Sequence, residues 1–113
     1  MSNITSLSDL DMLEAAIAES RERPVFLFKH STTCGISCDA LDELIAHVKR
    51  GTDDVTYKMI TVQSHRRVSD EAAARLGIRH ETPQAILLRA GRPVWKASHF
   101  RITAAELAQA LAN

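Results

Sequence analysis

One cysteine in this chain stands where its position alone implies a reaction. The stretch from Phe26 to Asp42 reads Phe-Leu-Phe-Lys-His-Ser-Thr-Thr-Cys-Gly-Ile-Ser-Cys-Asp-Ala-Leu-Asp. A short apolar run passes into hydroxyl residues, Cys34 follows, and an amphipathic helical pattern begins directly after it. A cysteine at the first turn of a helix meets the positive end of the helix dipole and unpaired backbone N–H groups. Both favour thiolate over thiol, and thiolate is the nucleophile. Lys29 and His30, just upstream, could add positive charge. A buried cysteine acting as a small hydrophobe is the plainer alternative, but the carboxyl end of a buried strand is where α/β proteins place their sites.

The residues around Cys34 narrow the chemistry. Ser37 stands three positions on, where a Cys-x-x-Cys oxidoreductase carries its resolving thiol. A hydroxyl there forbids the usual internal disulfide, so a mixed disulfide on Cys34 has to be resolved by an outside thiol. Ser37 could also assist catalysis by donating a hydrogen bond to the Cys34 sulfur. Cys38, one residue further, is a candidate second thiol. In a regular helix its Cβ would stand roughly 5–6 Å from that of Cys34, whereas a disulfide needs about 3.5–4.5 Å. The helical wheel puts Cys38 at the flank of the apolar stripe, as a half-buried structural cysteine.

The remaining candidates are weaker. Thr82-Pro83 precedes a second apolar run, and an X-Pro bond is cis in only about 5–6% of cases in the absence of other constraints. Among His30, His47, His65, His80 and His99, no spacing completes a metal site with the two cysteines, so no metal is expected. His80, beside the proline, could approach the thiolate or simply be solvated. Trp95, the sole tryptophan, reads as core.

These residues need a scaffold, and the hydrophobic pattern supplies one. Leu10, Leu13, Ala16 and Ile17 mark a helix over Ser8–Ser20, with Ser8 as its cap. Pro24 ends it, and Val25–Phe28 reads as a strand buried on both faces. A helix from Cys34 to Arg50 follows, with Leu41, Leu44, Ile45 and Val48 as its inner stripe and Gly51 closing it. Asp53 and Asp54 turn the chain into a strand over Val55–Val62, and Asp70–Leu76 forms a helix ended by Gly77. Ala85–Leu88 and Pro93–Ala97 form an antiparallel hairpin around Arg89-Ala90-Gly91-Arg92. Thr103 and Glu106 make a capping box for a last helix whose Leu107 and Leu111 face inward. The order α-β-α-β-α-β-β-α describes a single α/β domain over residues 1–113, a mixed four-stranded sheet flanked by helices. A cysteine at its strand-to-helix turn and a Thr-Pro before the hairpin make this the thioredoxin-like arrangement.

Composition removes other classes. Of 113 residues, 45% are hydrophobic and 25% charged, which is enough apolar chain for one core without staples. Fourteen basic and fourteen acidic side chains cancel, so no overall field draws the protein to nucleic acid or an anionic membrane. No apolar run nears the roughly 20 residues of a membrane span. The N-terminus lacks the basic and apolar regions of a signal peptide, so a cytoplasmic setting is expected, where two cysteines are seldom a permanent disulfide.

Three separated motifs carry a family resemblance. Phe28-Lys29-His30-Ser31-Thr32-Thr33-Cys34-Gly35-Ile36-Ser37, His80-Glu81-Thr82-Pro83-Gln84 and Trp95-Lys96-Ala97-Ser98-His99 resemble the monothiol bacilliredoxins, redox proteins of the bacillithiol system. The resemblance covers nearly the whole chain. It implies a thioredoxin-like fold and a cis Thr82–Pro83 bond facing the cysteine. It implies an oxidoreductase that removes bacillithiol, or a similar small thiol, from S-thiolated proteins. Cys34 would attack and carry the adduct, with the Gly35 and Ile36 amides holding its thiolate. Thr33, Gly35, Ile36, Thr82 and Pro83 would bind the substrate. No cofactor is expected beyond the small thiol as co-substrate, and free thiol or a disulfide reductase would regenerate Cys34. Gly35 stands where the family often has proline, and Cys38 is not generally expected. Cys-Gly-Ile-Ser is also similar to the Cys-Gly-Phe-Ser site of monothiol glutaredoxins, which bind an iron–sulfur cluster with glutathione. The Gly-Gly-Cys-Asp type of segment that holds glutathione in those proteins is absent here. A non-catalytic binding module using the proline loop and Trp95 is the remaining alternative.

Overall fold

The computed structural model describes residues 3–51 and 54–113, so Asp53 lies outside the described residues. The chain runs β1 (Ile4–Ser6), α1 (Leu10–Glu19), β2 (Val25–His30), α2 (Gly35–Arg50), β3 (Thr56–Thr61), α3 (Arg66–Leu76), β4 (Gln84–Arg89) and β5 (Arg92–Ser98). A 3-10 turn (His99–Arg101) and α4 (Ala104–Ala112) complete it. The sheet has five strands, not four, in the order β1-β3-β2-β4-β5. The added edge strand, β1, pairs parallel with β3 through Ile4–Tyr57, Thr5–Lys58 and Ser6–Met59. Three residues with one large hydrophobe give no period-2 signal, which is why this strand is hidden in the sequence.

β2 lies at the centre, parallel to β3 and antiparallel to β4, and all six of its residues are buried. Its alternation assigns its two faces. Val25 and Leu27 join Leu13, Ile17, Val68, Ala72 and Leu88 under α1 and α3. Phe26 and Phe28 join Leu44, Tyr57, Leu87 and Leu107 under α2 and α4. By the same rule Lys29 falls on the α3 side and His30 on the α2 side.

Helix boundaries moved where polar residues decide them. Asp9, not Ser8, caps α1, its carboxylate accepting from Met12 N at 2.8 Å. α3 begins at Arg66 rather than Asp70, because the first turn offers a single hydrophobe, buried Val68, between two exposed arginines and a buried serine, too little to set a period; it ends at Gly77 in the left-handed conformation (φ 66°). Gly51 instead closes α2 in extended conformation. Thr103 Oγ1 accepts from Glu106 N at 3.1 Å, capping α4. Leu107 is buried, whereas Leu111 is only partly so. The β4–β5 hairpin closes on Ala90 (φ 55°) and Gly91 (φ 79°), both in the left-handed region that a two-residue primed turn requires. The turn is tied to the end of α1: Ala90 N donates to Ser20 O at 2.7 Å and Gly91 N to Ser20 Oγ at 2.9 Å.

The inner face of α2 is the main correction. Its buried residues are Ser37, Ala40, Leu44 and His47, while Leu41, Ile45 and Val48 are half-buried. Two polar residues are inside because each has a partner, so the buried stripe is rotated from the one apolarity alone predicts. That rotation leaves Cys38 exposed, not half-buried at the flank of the core.

Candidate functional site

The site is built where β2 hands the chain to α2. His30 ends the strand, Ser31-Thr32-Thr33 turn, and Cys34 takes the N-cap position of α2 with extended dihedrals (φ −112°, ψ 119°). Its carbonyl accepts the first helical bond, from Cys38 N at 3.1 Å. The first turn of α2 contains no acidic residue, and the cap makes no side-chain bond to the helix amides. The N–H groups of Gly35 and Ile36 are therefore the orphan donors of the helix start, next to a partly exposed Cys34. Gly35 is exposed, and a Cβ built on it meets nothing within 4 Å, so a side chain here would not collide with the fold. Both cysteines are free thiols.

Ser37 is fully buried and points beneath this turn. Its Oγ accepts from Ser31 N at 2.9 Å and bonds His30 Nδ1 at 2.8 Å. Burial holds His30 below its ordinary 6.5, against an opposing hydrogen bond with the Ser37 backbone, so the ring is neutral and its Nδ1 is paired with the Ser37 hydroxyl. Ser37 thus fastens the turn to the helix instead of bonding the Cys34 sulfur. Replacing it with alanine strands the Ser31 N–H and His30 Nδ1, and should cost about 1–3 kcal/mol of stability in urea unfolding.

A second clamp was invisible in the sequence. Gln63, just beyond β3, accepts from Thr32 N at 3.3 Å and donates to Ser31 Oγ at 2.9 Å and Thr33 Oγ1 at 3.1 Å. It lies some thirty positions from the residues it grips, and no periodicity or motif marks it.

The Thr82–Pro83 peptide bond is cis. Lys29 pairs with Gln84 in the sheet, which brings Pro83 to the end of β2 from which the Cys34 turn departs. Pro83 O accepts from His99 N at 3.1 Å, and Glu81 accepts a hydrogen bond from Ser98 Oγ. That bond, chiefly, holds the Glu81 carboxyl below its ordinary range. His99 and Phe100 also line a shallow cavity of about 150 Å³ with Ile36, Asp39 and Glu43. Phe100 is 75% exposed there.

Lys29 and His30 do not supply charge beside Cys34. Lys29 is buried and extends under α3, donating to Ser69 O and His80 Nδ1, each at 3.1 Å. Burial, partly offset by Asp70, brings its pKa down to about 8. His30 is held neutral as described. Trp95, read from the sequence as core, is half-buried and packs edge-on to Phe26 at 6.0 Å, against the core rather than within it. Among the described residues no group of three or more His, Cys, Asp or Glu could hold a metal ion, and no helix is long and apolar enough to cross a membrane.

Buried histidines give this fold an acid limit. His47, bonded to Tyr57 Oη at 3.0 Å, is held below 6.5 by burial, as is His30. The unfolded chain then binds more protons than the native one below that pH, so their contribution is full above it and lost as pH falls. Unfolding free energy should decline from pH 6.5 downward, and His47→Gln should make that decline shallower.

Comparison with known proteins places these features. A solved structure described as a proposed oxidoreductase with a thioredoxin fold is 34% identical, covers 97% of this chain and 95% of its own, and superposes with a TM-score of 0.87. Thioredoxin of Fasciola hepatica, at 16% identity and 96% coverage of each chain, superposes with a TM-score of 0.77. Mitochondrial thioredoxin 3 of Saccharomyces cerevisiae, also 16% identical, covers 98% of this chain and 95% of its own with a TM-score of 0.74. The two thioredoxins establish the fold alone: this is a thioredoxin fold. The family profile of monothiol bacilliredoxin BrxC matches residues 5–107, a span holding both Cys34 and the cis-proline loop. The protein is thus of the thiol-oxidoreductase type, and the chain belongs to the monothiol bacilliredoxin family.

Proposed function

We propose that the protein removes bacillithiol, or a similar small thiol, from mixed disulfides on other proteins, with Cys34 as the sole nucleophile. The observation that carries this reading is Cys34 at the open N-terminus of α2 with a serine, Ser37, at the resolving position. The Cys34 thiolate attacks the small-thiol sulfur of the mixed disulfide. A new S–S bond forms to Cys34, the old one breaks, and the substrate protein leaves as thiolate and takes a proton from water. The amides of Gly35 and Ile36 stabilise the attacking thiolate, while Ser37 and Gln63 hold the turn. Thr33 and the Thr82-Pro83 loop receive the substrate backbone, and exposed Phe100 offers an apolar contact. A second small thiol, or a disulfide reductase, then attacks the adduct and returns Cys34 to thiolate.

The chemistry fits a cytoplasmic setting and needs no resident cofactor. Exposed Cys38 supports a second reading, in which it displaces the adduct and forms an internal disulfide with Cys34. The small thiol is identified by competition. Carrier proteins bearing bacillithiol, glutathione or coenzyme A are each incubated with the reduced protein, and release of the carrier thiol is timed. The bacillithiol carrier should be cleared fastest. Equal rates for all three would remove bacillithiol from the proposal, and no release from any would end it.

A further inference from the structure

A buried lysine is joined to the substrate loop by a chain of hydrogen bonds that the exchange mechanism has not used. Lys29 Nζ contacts His80 Nδ1 at 3.1 Å, and His80 Nε2 contacts Thr82 Oγ1 at 3.1 Å. Ser69 braces the pair: its carbonyl accepts from Lys29 at 3.1 Å and its hydroxyl lies 3.3 Å from His80 Nδ1.

The donors and acceptors allow one arrangement while Lys29 is charged. An ammonium only donates, so Nδ1 of His80 accepts. The imidazole proton then sits on Nε2 and is donated to Thr82 Oγ1. Thr82 oxygen, having accepted, keeps its own hydrogen for another partner. A protonated His80 would set an N–H against the ammonium, and the pKa of His80 is accordingly held down by burial and then by Lys29.

We propose that Lys29 and His80 are positioning residues for thiol exchange, fixing the His80 tautomer so that the Thr82 hydroxyl donates toward the sulfur leaving the mixed disulfide. This rests on the exchange reading for the role of Thr82, but the tautomer itself does not. The other charged groups facing the relay are Asp70 and Arg66 of α3 and Glu81 of the loop itself. When Lys29 loses its proton, near pH 8, nothing compels Nδ1 to accept, and the Thr82 hydrogen can turn inward to Nε2.

Two measurements test the relay separately from the function. Nitrogen shifts of the His80 ring, read by NMR at pH 7, should report the Nε2–H tautomer in the wild type, and His80 should titrate at higher pH in Lys29→Met. Exchange with a bacillithiol carrier is measured against alkylation of Cys34 by iodoacetamide, which needs no Thr82. In His80→Ala and Lys29→Met, exchange should fall about tenfold, the effect of one lost directional hydrogen bond, while alkylation changes less than about twofold. The wild-type ratio of exchange to alkylation should drop above pH 8 and be flat in both variants. Since Lys29→Met empties a buried polar site, His80→Ala on the exposed side keeps the test valid if that variant misfolds. An Nδ1–H tautomer in the wild type, or His80→Ala exchanging at the wild-type rate with the wild-type pH profile, would overturn the relay. The Nε2–H tautomer without exchange in any protein would uphold the relay's geometry and overturn the exchange reading instead.

Discussion

Cys34→Ser is expected to lower thiol transfer from a mixed disulfide by about a thousandfold or more, down to the rate of free thiol alone. A serine hydroxyl in the same N-cap position keeps the geometry. It is not ionised near neutral pH and cannot form the covalent adduct. Fold and stability should change little, because Cys34 is partly exposed and makes no side-chain bond to the helix start, and serine is a preferred N-cap residue. The measurement is release of small thiol from a carrier protein, with circular dichroism and urea unfolding to establish that the variant is native. Retained transfer in native Cys34→Ser would move the activity elsewhere in the molecule.

The largest effect on stability is expected at Phe26. It is buried at 1% exposure in the middle of β2, stacked on Tyr57 at 5.8 Å and met edge-on by His47 at 5.7 Å and Trp95 at 6.0 Å. This cluster joins β3, β5 and α2 to the central strand, so it also seats the helix whose first turn carries Cys34. Phe26→Ala removes the ring all three surround and leaves a cavity that a sheet residue cannot collapse. The cost should be about 3–5 kcal/mol, a large share of the roughly 5–15 kcal/mol that holds a domain of this size together. A correspondingly lower urea midpoint with unchanged slope would show it. A shift below about 1 kcal/mol would mean the cluster repacks and that α2 is held by α4 instead.

The reach of the sequence differs between these two residues and the relay. Cys34 was legible because its surroundings are local: an apolar strand, a turn and a helix start within a dozen residues. The cis Thr82–Pro83 bond was legible only through the family pattern, since an isolated X-Pro favours trans. What escaped the reading is non-local or polar. β1 is too short for periodicity, and Gln63 reaches the Cys34 turn across the sheet. His47 and Ser37 occupy the inner face of α2 because Tyr57 and Ser31 await them, a fact no hydrophobic pattern contains. Their burial rotates the helix and exposes Cys38. Lys29, close in sequence to Cys34, is carried to the other face of the sheet by strand alternation and reaches the site only through His80.

Exposure of Cys38 makes the number of working thiols the point on which the account turns. The most direct measurement is the intact mass of the protein after reaction with a bacillithiol-bearing carrier, for wild type, Cys34→Ser and Cys38→Ser. A single nucleophile predicts one bacillithiol adduct on the wild type and on Cys38→Ser, and none on Cys34→Ser. A wild-type mass lower by two hydrogens, with that loss abolished by either substitution, would mean that Cys38 closes a disulfide on Cys34 and would contradict the monothiol mechanism.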